Sequence, residues 1–264
     1  MPTRAATWIV LALAAAGLLF ALPRPAAAFG DVGAFEPRIL LVGSLTGAAR
    51  PSAPARWSFE VIQRTSAPAR RAPTTVRADA PDVTGAPFLY LSGDAELASF
   101  TPGEVMGLRR FFALGGLLFV DDAGVGERGE PSAFGRSARR ELARVLPDTV
   151  PIRIGPDHVV FKSFYLLRRA EGRVEGQKHL DAIVRGGAAQ VIFSSHDLGG
   201  ALARGPTGAW EHAVLPHGDT QRERAVRLAV NIAMYALCSD YKDDQVHAPA
   251  LMRRRAVLGP RGEP

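Results

Sequence analysis

Residues 101–124 constrain the fold more than any other segment, because they predict a complete helix–turn–strand unit that ends in two acids. Thr101 is a typical N-cap, Pro102 suits the first helical position, and Glu104 completes a capping box. An apolar face follows at helical spacing, and a Gly-Gly pair ends the helix. Residues 117–120 then form an uninterrupted apolar run, which predicts a strand covered on both faces.

Asp121 and Asp122, the acidic pair, follow this strand directly. In open α/β sheets, ligands bind just outside the carboxyl ends of the strands, so the pair marks the place where a site would lie. It could bind a divalent cation or form an acid/base couple. In the structural alternative, which we favour over catalysis, one carboxylate caps the following turn and the other pairs with an arginine.

Further apolar runs alternate with helical patterns, which predicts a single three-layer α/β domain with a mostly parallel central sheet. Strands are predicted at 38–45, 74–78, 88–91 and 189–194, with short strands or extended segments at 152–154 and 159–165. Helices are predicted at 51–66, 134–146 and 220–238, whereas 174–187 and 201–218 are predicted to be irregular.

Residues 1–28 have the pattern of a cleavable signal peptide. Arg4 provides a basic start, residues 8–22 are apolar and uncharged, and three alanines at 26–28 offer a cleavage site. We therefore expect an exported protein in the periplasm or another extracytoplasmic compartment, tethered to the membrane only if this segment is not cleaved. The α/β domain is predicted at 29–240, followed by a polar, Arg-rich tail at 241–264 that frays.

The charge balance is mild. The chain carries a net charge of +6, and the predicted mature chain would carry +4, because Arg4 and Arg24 are the only charged residues before position 29. An exported chain of this charge is not expected to bind nucleic acid. Its single cysteine, Cys238, excludes an intrachain disulfide, and the apolar helix around it predicts an inert, buried thiol.

Polar residues also follow two other predicted strands. Ser92 and Gly93 end one of them, and His196 and Asp197 follow another. If these strands are central and parallel, their residues share the carboxyl-end rim of the sheet with the acidic pair, where they could form a metal site or a His/Asp couple. The structural alternative is an exposed loop histidine and an aspartate that caps a turn.

Two groups lie outside these strand ends. Asp157 and His158 could reach the same rim, or could hold a tight turn after Gly-Pro. The helix at 134–146 carries arginines that could bind an anionic ligand or lipid head groups, or could be a solvated face. In a compromise between the two, Arg139 or Arg140 reaches back to the acidic pair.

Several motifs of known chemistry are absent from the sequence. There is no GxSxG serine elbow, no GxxxxGK[ST] nucleotide loop, and no HExxH or paired-cysteine metal motif. We therefore predict no catalytic nucleophile, no cofactor and no dedicated metal site.

Six segments, in this order, resemble the domain of unknown function 4159 family. They are FLYLSGD, FTPGEVMGLRRFFALGGLLFVDDAG, FGRSARRELARVLPD, PDHVVFKSFY, SSHDLGG and RAVRLAVNIAMYALCSDYKDDQVHAP, and the resemblance as a whole extends from Arg38 to about Pro249. The resemblance implies a class I glutamine amidotransferase-like, flavodoxin-like fold in an exported or membrane-tethered protein. It implies genes near MoxR-type ATPases and von Willebrand A-type proteins, but no activity.

The polar pattern of the family places candidate residues on this chain. They are Asp121, Asp122, Arg136, Arg139, Glu141, Asp157, His158, Asp197, Gly199, Trp210 and Asn231. Family members often carry a histidine where this chain has Asp94, which weakens a metal site. Related amidotransferases carry a cysteine at the elbow occupied here by the acidic pair, so the resemblance implies that thioester chemistry is absent.

The sequence therefore leaves three functions open. The first is an exported, non-catalytic amidotransferase-like domain that binds a ligand or an envelope protein partner at the carboxyl-end rim. For it the ligand-binding candidates are Ser92, Gly93, Asp121, Asp122, Arg136, Arg139, Asp157, His158, His196 and Asp197. The second is a metal-assisted hydrolase that uses Asp121, Asp122, His196 and Asp197. The third is a structural envelope component whose contact face is the arginine helix.

Overall fold

The strand that ends in the acidic pair lies at the centre of one mixed sheet. The computed structural model describes residues 33–257, with side chains up to Cys238. Within this range the sheet has seven strands: β1 (Arg38–Leu41), β2 (Thr75–Arg77), β3 (Phe88–Gly93), β4 (Leu117–Asp122), β5 (Ile152–Ile154), β6 (Leu180–Arg185) and β7 (Ala188–Ser194).

The strand order is β2-β1-β3-β4-β7-β6-β5. The first five strands in this order are parallel, whereas β6 runs antiparallel to β7 and β5 antiparallel to β6. The mostly parallel α/β sheet predicted from the sequence is therefore confirmed. Because β1, β3, β4 and β7 run in the same direction, their carboxyl ends lie along one edge of the sheet.

Helices cover both faces of the sheet. They are α1 (Ala53–Arg64), α2 (Pro102–Ala113), α3 (Ala133–Val145), α4 (Leu198–Leu202) and α5 (Gly218–Val257), with short 3-10 helices at Pro81–Thr84 and Val159–Phe161. Helices α1, α4 and α5 pack together on one face, and α2 and α3 pack on the other. The architecture therefore has three layers.

The start of α2 follows the prediction in atomic detail. The Thr101 hydroxyl accepts a hydrogen bond from the Glu104 N–H over 3.2 Å, and the Glu104 carboxylate accepts one from the Thr101 N–H over 2.8 Å. The same carboxylate also accepts from the Gly43 N–H, just after β1. The capping box therefore fixes α2 against the sheet while it starts the helix.

One aromatic cluster fills the layer beneath α1 and α5. The buried Trp57 ring lies between 5.5 and 5.7 Å from the rings of Phe88, Tyr90 and Phe119. Its indole N–H donates to the Ala229 carbonyl of α5 over 2.8 Å. Each such buried ring stabilises the fold by about 1.5–3 kcal/mol relative to exposure, so this cluster anchors both helices to β3 and β4.

Two predictions about the middle of the chain are wrong. The segment 174–187 is not irregular, because it contains β6, and residues 159–161 form a 3-10 helix instead of a strand. Strand β6 joins β7 through Gly186 and Gly187, whose φ values of 58° and 82° fit a two-residue hairpin turn. This Gly-Gly signal was present in the sequence, but the polar residues around it obscured it.

The last helix differs at both ends from its prediction. It begins at Gly218 and continues to Val257, into the segment predicted to fray. Near its start, the Glu223 carboxylate accepts two hydrogen bonds from Arg64 of α1, both over 2.8 Å. Cys238 is a free, exposed thiol, so its predicted burial is also wrong, because this turn of α5 presents position 238 to solvent.

The predicted signal peptide, 1–28, lies outside the described residues. In the part of the chain that the structure describes, no helix is both long enough and apolar enough to cross a membrane.

Candidate functional site

The acidic pair at the end of β4 is divided between the two faces of the sheet. Successive side chains of a strand point to opposite faces. Asp121 therefore faces the layer of α1, α4 and α5, and Asp122 faces the layer of α2 and α3, and each makes contacts only on its own side. The two carboxylates consequently have different partners and different roles.

Asp121 is fully buried and binds the start of α4. Its Oδ1 accepts from the Leu198 N–H over 2.8 Å, and its Oδ2 accepts from the Gly199 N–H over 2.7 Å. The Tyr90 hydroxyl donates to the same Oδ2 over 3.0 Å. The carboxylate thus occupies the N-terminal end of the short helix and leaves little room around it, since a Cβ at Gly199 would lie 2.6 Å from the Tyr90 hydroxyl.

Asp197 caps the same helix from the other side. It is the only non-glycine residue with positive φ among those described, at φ 51° and ψ 61°, and its Oδ1 accepts from the Gly200 N–H over 2.9 Å. Arg50 donates to both of its oxygens, over 3.2 and 2.8 Å, and Arg173 donates to Oδ2. The strained backbone is therefore held by a cap and two ion pairs.

We call these five residues (Arg50, Tyr90, Asp121, Arg173 and Asp197) the rim cluster. Burial and then the charge of Asp197 raise the pKa of Asp121 from 3.8 to about 7, although its three hydrogen bonds act in the opposite direction. The neighbouring His212 belongs to the same electrostatic environment. Burial, followed by the charge of Arg50, lowers the pKa of its imidazole below 6.5.

Asp122 has a structural partner on the opposite face. It accepts from the Ser132 N–H over 2.8 Å, from the Ser132 hydroxyl over 2.5 Å, and from the Gly124 N–H over 3.2 Å. Ser132 is the N-cap of α3 and accepts from the Gly135 N–H. Asp122 therefore holds the turn and the helix that follow β4, as the structural alternative proposed, but no arginine takes part.

His196 points away from the rim cluster. Its Nε2 donates to the Gln177 carbonyl over 2.7 Å, and burial lowers its pKa to about 4, so the ring is neutral. The ring packs against Gly176, where a Cβ would lie 3.2 Å from the ring, and a Cβ at Gly172 would lie 2.3 Å from the His196 carbonyl oxygen. Its interactions identify a core histidine that fixes this segment.

Ser92 and Gly93, at the end of β3, are buried. A Cβ at Gly93 would lie 2.3 Å from the ring of Phe134, so α3 covers this position closely. The two residues border the site in the sheet, where Ser92 pairs with Asp121, but they do not present an open surface to a ligand.

His158, in the turn after β5, lies near the amino end of β7, away from the carboxyl-end rim. The His158 ring packs 5.9 Å from the ring of Tyr235, whose hydroxyl accepts from the Ala189 N–H at the beginning of β7. The His158 N–H donates to the Gly155 carbonyl, as expected of the tight turn. The prediction that Asp157 and His158 feed the carboxyl-end rim is therefore wrong.

The arginines of α3 do not reach the acidic pair. Arg139 binds Asp181 of β6 over 2.8 Å, Arg140 binds Glu141 and Glu96, and the exposed Arg136 donates to the Pro131 carbonyl. The predicted contact of Arg139 or Arg140 with the acidic pair is wrong, because acids closer to α3 satisfy these guanidinium groups.

The structure thus separates the four residues of the hydrolase hypothesis. It brings Asp121 and Asp197 together at α4, and it directs Asp122 and His196 to other segments. Among the described residues, no three His, Cys, Asp or Glu side chains gather closely enough to hold a metal ion.

Sequence reasoning missed the basic half of the site. Arg50 lies 147 residues from Asp197 and Arg173 lies 24 residues from it, so no local pattern connects them. The one available signal was Asp197 followed by Leu-Gly-Gly, a helix N-cap whose glycines leave room for bulky neighbours.

Fold and site together define an α/β domain whose carboxyl edge carries two buried carboxylates and two partly exposed arginines. The family model of the domain of unknown function 4159 matches residues 42–237, and the chain belongs to this family. A search of the curated proteins found none that matches the chain.

Proposed function

We propose that this protein is an exported, non-catalytic binding domain that holds an anionic group of a ligand or an envelope protein partner at its carboxyl-end rim. The observation that carries the proposal is the pair of arginines on one buried carboxylate. The side chains of Arg50 and Arg173 remain 17% and 22% exposed, whereas that of Asp197 is fully buried.

The two guanidinium groups are fixed before any ligand arrives. Asp197 and the Ala123 carbonyl hold Arg50, and Asp197 also holds Arg173. Although burial opposes the charge of Arg50, its hydrogen bond with Asp197 raises its pKa above the ordinary value, so it stays cationic. Pre-organised arginines suit carboxylate or phosphate groups, because their planar donors match two acceptor oxygens.

The carboxylates themselves are poorly placed for catalysis. Asp121 and Asp197 are buried, and each oxygen already accepts at least one hydrogen bond. A general base needs access to the proton that it removes. The saturated contacts therefore support a binding role in which the acids position the arginines and α4.

The strand order supports a doubly wound domain related to the class I amidotransferase-like and flavodoxin-like folds. The parallel strands run β2-β1-β3-β4-β7, which is the 2-1-3-4-5 order of flavodoxin-like sheets. In this proposal Asp121 occupies the elbow where amidotransferases carry their cysteine. Cys238 lies on α5, far along the chain from the elbow, so thioester chemistry is not part of the proposed function.

Export can be tested separately from binding. Fractionation of cells that produce the full chain should place the processed protein in the envelope or periplasm, with an N-terminus near residue 29. An unprocessed protein found only with cytoplasmic markers would contradict the export proposal and would leave the binding proposal intact.

The binding proposal is tested by capture from an envelope fraction with the purified full chain. Arg173→Gln removes one rim guanidinium, and Arg136→Gln, on the exposed face of α3, is the matched control. We expect wild type and Arg136→Gln to retain the same anionic partner or ligand, with retention lost at high salt and in Arg173→Gln. Equal retention by Arg173→Gln, with its fold intact, would contradict the proposal.

A further inference from the structure

A second basic site lies beside the rim cluster but uses different residues. A cavity of about 230 Å³ opens between α1, α5 and the segment 203–217. The residues that matter are Arg56, Arg64, Arg204, Trp210, Arg222 and Glu223. We call this cavity the arginine pocket.

The guanidinium groups of the arginine pocket converge on one indole ring. The ζ-carbons of Arg204 and Arg222 lie 3.8 and 4.1 Å from the ring centre of Trp210, and that of Arg56 lies 5.6 Å away. Cation–π attraction holds each of them, but it does not remove the repulsion between like charges. Three cations around one ring therefore need a compensating charge.

Three acids line the pocket, and two of them are already engaged; the third, Asp219, is exposed and forms no ion pair among the described residues. Glu60 binds Arg56 and also Arg64 over 2.6 Å, and Glu223 binds Arg64 and Arg227 over 2.8 and 2.9 Å. Within the described side chains, neither Arg204 nor Arg222 has a carboxylate at ion-pairing distance. These two guanidinium groups carry positive charge that the protein does not neutralise by a direct contact.

Burial makes this imbalance costly. Arg222 is only 5% exposed, and its two Nη groups donate to the carbonyls of Ala201 and His212. The Nε atoms of Arg56, Arg204 and Arg222 are buried and find no acceptor in the described structure. Burial, together with the charge of Arg56, lowers the pKa of Arg204 below its ordinary value. A buried donor without an acceptor destabilises the folded protein, and a bound acceptor would remove this cost.

We propose that the arginine pocket binds a phosphate group. Three guanidinium groups offer more donors than the two oxygens of a carboxylate can use, whereas a tetrahedral phosphate presents acceptors in several directions. A cavity of about 230 Å³ lies below the usual range of drug-sized sites, roughly 300–1,000 Å³, so it fits a free phosphate or the phosphoryl head of a larger molecule.

This site goes beyond the proposed function at the rim. The rim arginines, Arg50 and Arg173, both form ion pairs with Asp197. The arginines of the pocket instead contact backbone carbonyls, the indole ring and acids that each bind two arginines. The segment 203–217 connects the two places, since it contributes His212 near the rim and Trp210 to the pocket. The two sites can be tested with different variants.

The test is phosphate binding by the full chain, measured by isothermal titration and by thermal unfolding at constant ionic strength. The probe is inorganic phosphate, with sodium chloride as the reference salt. Arg204→Gln removes the guanidinium that forms no hydrogen bond or ion pair among the described residues. Arg136→Gln is the control, and Arg173→Gln reports on any phosphate that binds at the rim. Phosphate should raise the Tm of wild type and of Arg136→Gln, and Arg204→Gln should bind phosphate at least roughly tenfold more weakly than wild type.

Three results would overturn the proposal. The first is a wild-type Tm that rises no more with phosphate than with sodium chloride. The second is a phosphate response of Arg204→Gln equal to that of wild type. Failure of Arg173→Gln alone would instead place the phosphate at the rim and would equally overturn the pocket proposal.

A second arm distinguishes the sources of the phosphate group. Phosphatidylcholine vesicles with and without phosphatidic acid are sedimented with wild type and Arg204→Gln. Sedimentation that needs both phosphatidic acid and Arg204 identifies a lipid head group. Binding of inorganic phosphate without vesicle binding identifies a soluble phosphate compound, and vesicle binding that is equal in the two proteins counts against the pocket.

Discussion

The rim cluster and the arginine pocket are both built from arginines, but they balance charge in opposite ways. At the rim, Arg50 and Arg173 converge on one buried carboxylate, Asp197. In the pocket, Arg204 and Arg222 converge on a neutral ring, Trp210. The first arrangement balances the charge of its arginines before a ligand binds, although both remain partly exposed, whereas the second leaves donors and charge unmatched.

The difference indicates how each site contributes to stability. Removing one partner from a buried ion pair leaves an uncompensated charge, which is strongly destabilising. Removing one of several mutually repelling cations relieves repulsion as well as losing contacts. Substitutions at the rim should therefore affect folding as well as binding, whereas substitutions in the pocket should affect binding with little effect on folding. The following predictions test this contrast, from the largest expected effect to the smallest.

Asp197→Ala should have the largest effect. It leaves Arg50 and Arg173 without their acid, removes the cap of α4 and places alanine at positive φ. We expect a loss of about 3–5 kcal/mol in the free energy of unfolding, measured by urea denaturation. The control is Asp94→Ala, an exposed acid beside the same rim. A loss of equal size in both variants would remove the distinction between the rim cluster and the surface around it.

Gly199→Ala should have an intermediate effect. The added Cβ would lie 2.6 Å from the Tyr90 hydroxyl and 3.1 Å from Asp121 Oδ2, so the rim would have to shift, at a cost of about 1–3 kcal/mol. Gly205→Ala, near the pocket, is the matched control because its Cβ would meet nothing closer than 3.9 Å. Similar unfolding midpoints for the two variants would show that the rim is not tightly packed.

Asp121→Asn should change the pH dependence of stability. Because the folded-state pKa of Asp121 is raised from 3.8 to about 7, the folded protein keeps a proton that the unfolded chain has lost. The titration of Asp121 therefore lowers the free energy of unfolding as the pH rises from about 3.8 to about 7. His196 acts in the opposite direction between about pH 4 and 6.5, since its pKa is lowered to about 4.

In wild type these two terms oppose each other. In Asp121→Asn only the contribution of His196 remains. The free energy of unfolding of this variant should therefore rise more steeply than that of wild type between about pH 4 and 6.5, measured by denaturation at a series of pH values. Asp94→Asn, with an exposed carboxamide, should keep the wild-type profile. An unchanged profile in Asp121→Asn would show that Asp121 is ionised throughout this range.

Arg204→Gln should have the smallest effect when no phosphate is present. It relieves repulsion from Arg56 and Arg222 and loses one cation–π contact, so the free energy of unfolding should change by about 0.5 kcal/mol or less. Arg50→Gln, the corresponding change at the rim, should cost more because Asp197 loses two hydrogen bonds. A larger loss in Arg204→Gln would assign Arg204 a structural role.

Local signals in the sequence predicted most of the fold. The capping box at Thr101 and Glu104 and the apolar run of β4 depend on neighbouring residues, so they could be recognised without the structure. Strand β6 was missed because only part of it is buried, and its pairing with β7 depends on a turn at Gly186 and Gly187.

The site was only partly predictable, because local patterns reveal strand ends but not contacts between distant segments. Strand ends locate acids, so Asp121 and Asp197 were correctly expected to meet at one edge. Their arginine partners come from distant loops, and the face to which each acid turns depends on its register in β4. His196 lies beyond β7, which ends at Ser194, so the alternation of the strand does not determine where its ring points. The ring contacts the Gln177 carbonyl, whereas Asp197 contacts α4.

The division of the acidic pair between two faces has a consequence for how sequences of this family can vary. Asp122 depends on Ser132, and Asp121 depends on Tyr90 and the amides of α4, with no partner in common. We expect positions 122 and 132 to covary among relatives, independently of positions 90 and 121. A one-residue insertion within β4 would exchange the two faces and detach both helices at once, so insertions should be excluded there and tolerated in the following loop.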